Sequence, residues 1–170
     1  MILTFTDILP NEFLRKPVLI SGLSSVELPK QTFLVLYDND ILTNIYEIRY
    51  QVHCSPFKEA VIVDDLLAVG FEERFYLFNL KANENVLSLE MNGYFGHLYF
   101  NADFLYVADA SGLYCISKSG ALYWENSMLG LDGVVVNEIT DTKISGSGEW
   151  DPPGGWKDFF LDKRTGLIIV

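Results

Sequence analysis

Residues 60–91 read AVIVDDLLAVGFEERFYLFNLKANENVLSLEM. Four apolar runs stand out: AVIV (60–63), LLAVG (66–70), RFYLFNL (74–80) and NVLSLEM (85–91). They are rich in β-branched and aromatic residues, which suit a pleated, half-buried surface. The gaps carry Asp64-Asp65, Glu72-Glu73 and Asn83-Glu84-Asn85, short polar breaks of the kind that reverse a chain. The stretch therefore predicts four antiparallel strands joined as a meander.

The same order returns twice. HLYF (97–100), FLYVAD (104–109), GLYCIS (112–117) and ALYWEN (121–126) form a second unit. GVVV (133–136), TKISGSG (142–148), WKDFFLD (156–162) and GLIIV (166–170) form a third. Val69 and Val107 are equivalent points 38 residues apart, and Ile144 lies 37 further on. A period of this size with four strands per unit predicts propeller blades. Ser119-Gly120 and Thr165-Gly166 occupy the last hairpin of the second and third units, where positive φ is needed. The run Leu66-Leu67-Ala68-Val69 does not alternate, which predicts a strand covered on both faces. The core is expected to include Val61, Val63, Leu67, Val69, Tyr76, Phe78, Leu105, Val107, Tyr114, Ile116, Val135, Ile144, Phe160 and Ile168.

Residues 1–58 are less regular. TFLVLYD (32–38) and NIYEIRYQV (44–52) predict a hairpin around Asn39-Asp40, and PVLISGL (17–23) a further strand. Ile45, Glu47 and Arg49 alternate with Tyr46, Ile48 and Tyr50, which places one face of this hairpin toward solvent or a partner. The best helical candidate, Asn11 to Lys16, is barely one turn. The chain thus reads as a single all-β domain over 1–170, irregular in 1–58, with three blade-like four-stranded antiparallel meanders over 59–170. Propellers generally use about four to eight blades. Either the ring closes small and distorted, or the sheet stays open with protected edges.

The chain has 170 residues and a formal net charge of −11, with 49% hydrophobic and 21% charged residues. That balance excludes a disordered chain and disfavours nucleic acid or an anionic membrane as partner. No run approaches a membrane helix. The opening residues have neither a basic stretch nor a continuous apolar one, so a cytoplasmic location is expected. Cys54 and Cys115 lack metal spacing and read as two reduced thiols, with a bridge between them as the alternative. No structural metal is expected.

The distinctive loop is Trp150-Asp151-Pro152-Pro153-Gly154-Gly155-Trp156. The prolines fix the backbone, the glycines allow reversal, and Asp151 is placed to cap the turn. Trp150 and Trp156 either pack on the loop or act as aromatic binding anchors. Residues 61–110 contribute −6 of the net charge. Asp64, Asp65, Glu72, Glu73 and Glu84 in their turns are candidates for meeting a basic partner. An enzyme reading rests on Asp64 and Asp65 alone. Gly146-Ser147-Gly148 reads as a flexible turn rather than a nucleophile elbow, and no phosphate loop is present.

The run GEWDPPGGW (148–156), followed by F-x-L-D-x-x-T-G (159–166), resembles the C-terminal motif of small bacterial proteins with propeller-like β-repeats. Some of these resemble immunity proteins of contact-dependent or polymorphic toxin systems. The terminal hairpin is also similar to strand pairs of quinoprotein-like propellers, but the chain is too short for the complete ring that a quinone cofactor needs, and none is expected. The resemblance implies an immunity protein that neutralises a cognate toxin domain, such as a nuclease, by occlusion. The acidic charge of the chain suits a basic toxin by complementarity, and with no catalytic motif in the sequence no catalysis is expected. A propeller-like interaction scaffold is the alternative.

Overall fold

The computed structural model describes residues 1–21, 27–101 and 103–169. Its strands are β1 (Ile2–Thr6), β2 (Val18–Leu19), β3 (Lys30–Asp38), β4 (Ile41–Tyr50), β5 (Lys58–Val63), β6 (Leu66–Phe71), β7 (Arg74–Asn79), β8 (Glu84–Glu90), β9 (Phe95–Asn101), β10 (Phe104–Asp109), β11 (Leu113–Ser117), β12 (Leu122–Asn126), β13 (Val134–Ile139), β14 (Lys143–Glu149) and β15 (Trp156–Asp162). They form four separate sheets, ordered β1-β3-β4-β2, β5-β6-β7-β8, β9-β10-β11-β12 and β13-β14-β15. The last three are the predicted meanders. In the fourth sheet, residues 166–169 give only the bridge Leu161–Ile168 instead of a full strand.

The sheets stack in chain order, and the burial pattern explains the non-alternating runs. In β6, Leu67, Val69 and Phe71 pack on Leu34, Tyr46, Ile48 and Tyr50 of the first sheet. Leu66 and Ala68, on the opposite face, pack toward Leu105, Val107, Tyr114 and Ile116 of the third. The third sheet turns Tyr106, Ala108, Leu113 and Cys115 to Ile144, Phe159 and Leu161 of the fourth. A strand with neighbours on both sides has no polar face, so alternation disappears.

Turn chemistry follows the repeat. Asn83, Gly120 and Gly166, each before the last strand or bridge of its sheet, have φ of 54°, 82° and 70°. Asn39 and Asp40 take positive φ in the β3–β4 hairpin, as the sequence predicts.

Five expectations about the elements and the core are corrected. Asn11 to Lys16 is not helical, and the strand read over 17–23 is only Val18–Leu19, pairing parallel to β4; residues 22 and 23 of that run lie outside the described residues. The β4 face carrying Ile45, Glu47 and Arg49 is not open to solvent. Ile45 packs with Leu9 and Phe13, and Glu47 and Arg49 pair with each other. Phe160 and Ile168 are 51% and 55% exposed instead of buried, and Phe159 and Leu161 take the inward positions; Val135 is likewise only half-buried, between the buried Val134 and Val136, and Val61 and Val63 are half-buried. No fifth sheet covers the outer face of β15 among the described residues, so alternation survives there. Finally, Gly146-Ser147-Gly148 lies inside β14 and is not a turn.

Candidate interaction surface at the linker end

Each inner meander begins and ends at one end of its sheet, where a linker crosses to the next. The turns β6–β7 and β10–β11 lie at this linker end. They hold the linkers by a repeated device. The Glu72 carboxylate accepts the N–H groups of Cys54 at 2.6 Å and Ser55 at 2.9 Å, and Glu73 accepts that of Gln51 at 2.6 Å. These belong to the linker entering the second sheet. The main-chain carbonyls of Glu72 and Glu73 accept Phe95 and Met91 N–H from the linker leaving it, at 2.7 and 2.9 Å. One repeat later, the Asp109 carboxylate accepts Asn92, Ser111 and Gly112 N–H and the Tyr114 hydroxyl. The carbonyls of Ala110 and Ser111 accept Gly133 and Leu129 N–H.

Glu72 and Glu73 are therefore not surface groups: they are 7% and 6% exposed, and Asp109 is fully buried. Burial alone pushes Glu72 up. The N–H groups of Ser55 and Cys54, together with His53, more than offset it and hold the carboxyl below the usual glutamate range. Burial first, and then the charges of Glu72 and Glu73, push the neighbouring Cys54 thiol up to about 11. Cys54 and Cys115 are both free thiols.

The remaining predicted residues divide between the two ends. Asp64, Asp65 and Glu84 are exposed at the end away from the linkers, and Asp64 pairs with Lys118 at 2.8 Å. Trp150, Asp151 and Trp156 lie at the linker end, in the β14–β15 turn. Trp150 is half-buried under Lys157 Nζ, 5.5 Å from its ring centre, whereas Trp156 is 46% exposed. The side-chain cap of this loop comes from Glu149, whose carboxylate accepts the Gly154 N–H, and not from Asp151. The acidic turns thus make no single face.

What the linker end does assemble is a concave cup of about 220 Å³ between the linker entering the second sheet and the third and fourth sheets. Its wall carries the rings of Phe57, Tyr94, His97 and Trp156 and the carboxylates of Asp132 and Glu149, with buried Asp109 behind. Of these, the sequence singled out Trp156 alone. The Tyr94 hydroxyl donates to the Asp132 carbonyl at 2.7 Å and lies 3.2 Å from its carboxylate. Loss of water, then Asp132, Glu149 and Asp109, push this phenol up to about 12. His97 Nδ1 lies 2.7 Å from the Glu59 carboxylate, and its ring packs on Phe57 at 4.6 Å between centres. Among the described residues, no lysine or arginine lines the cup.

No family model and no curated protein matches the chain. Among solved structures, the chain is similar to the crystal structure of BamB from Moraxella catarrhalis, with a TM-score of 0.56 and 12% identity over 81% of this chain. The chain spans 42% of the length of that protein. The likeness defines the class: an all-β, β-propeller-like fold, here an open stack of four sheets. No helix among the described residues is long and apolar enough to cross a membrane.

Proposed function

We propose that this chain is a non-catalytic interaction module that captures a basic protein through the linker end of its sheet stack. In its specific form the partner is a bacterial toxin domain, and the chain is its cytoplasmic immunity protein. The observation that carries the reading is how the carboxylates divide. Glu72, Glu73 and Asp109 are saturated by N–H and O–H donors and hold the fold. Asp132 and Glu149 make no ion pair with a lysine or arginine among the described residues, and they flank exposed aromatic rings. Unpaired carboxylates beside aromatic anchors suit a cationic, partly apolar surface. The net charge of −11 adds long-range attraction for such a partner. The GEWDPPGGW resemblance supports the toxin form.

Co-expression tests it. The chain is produced together with the toxin-like product of the neighbouring gene. Restored growth and a co-purifying one-to-one complex are expected. Growth arrest with no complex contradicts the immunity reading.

A further inference from the structure

The cup at the linker end has a composition that selects its occupant. Phe57 and Trp156 present rings 39% and 46% exposed. Tyr94 and His97 continue the wall, and Asp132 and Glu149 supply negative charge on the adjoining segments. A Cβ at Gly133 would lie 3.3 Å from the Trp156 ring, so main chain and indole come close together here. The Glu149 carboxylate accepts the Gly154 N–H, and the Asp132 carboxylate lies 3.2 Å from a Tyr94 hydroxyl whose proton goes to the Asp132 carbonyl, which leaves further lone pairs of both carboxylates able to accept. The one basic ring in the wall, His97, is turned to Glu59. An apolar ligand would leave two carboxylates desolvated without compensation, and an anion would meet only like charge. A cation of side-chain size satisfies both carboxylates and meets the exposed rings of Phe57 and Trp156 beside them. A planar guanidinium fits better than an ammonium, because it stacks on aromatic faces while donating at its edge.

Resting on the interaction-module reading above, we propose that the cup lined by Phe57, Tyr94, Trp156, Asp132 and Glu149 receives an arginine side chain of the partner protein. The arginine is the anchor of the complex, and the −11 net charge guides it in.

The full chain, labelled with 15N, is titrated with N-acetyl-arginine amide and, separately, with the citrulline analogue, which has the same shape and no charge. Saturable shifts are expected at the Trp156 indole N–H and the Gly133 amide with arginine alone. The double variant Asp132→Asn/Glu149→Gln keeps the oxygens that Tyr94 and Gly154 donate to. It is expected to retain the wild-type spectrum elsewhere and to weaken arginine binding by about tenfold or more. Equal shifts from citrulline, or undiminished affinity in the double variant, overturn the proposal. Should the double variant fail to fold, Trp156→Leu, at an exposed position, serves instead, with loss of the saturable Gly133 shift expected and its persistence overturning the inference. A second arm separates the two readings. Free arginine amide is expected to slow formation of the partner complex, and citrulline is not. A complex that forms at the same rate with either additive removes the cup as anchor and leaves the interaction module standing. Arginine binding with no partner complex removes the module reading and identifies the cup as a site for a free guanidinium compound.

Discussion

Glu72 and Glu73 are charged residues in a tight turn, where water ordinarily solvates such side chains. Here the turn faces a linker whose N–H groups have no strand to pair with, and the two carboxylates complete them. Replacing Glu72 with Lys leaves those donors buried and adds a positive charge beside them. The expected cost is at least about 2 kcal/mol, read as a shift in the urea midpoint; an unchanged midpoint contradicts the structural role. Acid acts in the same direction. A carboxyl held below its unfolded value contributes stability that is full above the unfolded glutamate range and is lost as the pH falls through the lower, folded value. Glu72→Gln should therefore flatten the loss of stability below about pH 4.3. Cys54 gives a separate check. With its thiol pushed up to about 11, iodoacetamide should alkylate it at least about tenfold more slowly than a small free thiol at pH 8. Glu72→Gln should speed the reaction, and a rate equal to the free thiol contradicts the assignment. The clue to the role of these residues lay in the repeat. The register that aligns Val69 with Val107 also brings Glu72 within a residue of Asp109, so a carboxylate recurs at the end of the second strand of each unit. Charge and turn position pointed to solvent, because the linker that buries these groups is contiguous in space and not in sequence.

At the scale of elements, strand composition and turn residues suffice to locate β3 to β15, since each run is bounded by a residue that reverses the chain. β1 was missed because Ile2–Thr6 pairs with β3 across residues distant in sequence and carries no turn of its own. The facing of β15 was read in the wrong phase for a related reason. Period two fixes which residues share a face, but a neighbouring sheet decides which face is buried. The corrected phase has a sharp consequence: Phe159→Ala should cost about 3–5 kcal/mol and Phe160→Ala under about 1 kcal/mol. Equal losses in thermal or urea unfolding contradict the stacking described. In β14, Gly148 is required by close approach, for a Cβ there would lie 1.7 Å from the Leu129 carbonyl oxygen. Gly148→Ala should lower stability by about 1–3 kcal/mol through displacement of that linker. A neutral substitution would show that the linker is free to move. The flexible-turn reading of this SGSG run came from composition alone, which does not distinguish a glycine needed for bending from one needed for contact.

For the whole molecule, four stacked sheets place their linkers at one end and Asp64, Asp65 and Glu84 at the other. Two chemically different ends follow: one with exposed acidic turns partly paired to Lys118, the other with the aromatic and acidic cup. Overall acidity was legible from composition. The cup was not, because Phe57, Tyr94 and Asp132 come from three different linkers and Trp156 from β15, and no short stretch contains more than a part of it. If a basic partner is drawn by the charge of the whole chain, its association rate should fall steeply with salt while dissociation changes little. A rate independent of ionic strength argues against electrostatic capture. The most direct measurement is amide hydrogen exchange of the full chain alone and in complex with its basic partner domain. Slowed exchange is predicted at residues 94–97, 131–135 and 149–156, with residues 64–65 and 83–84 unchanged. Protection confined to the Asp64 and Glu84 end, with the cup exchanging as in the free chain, would contradict capture through the linker end.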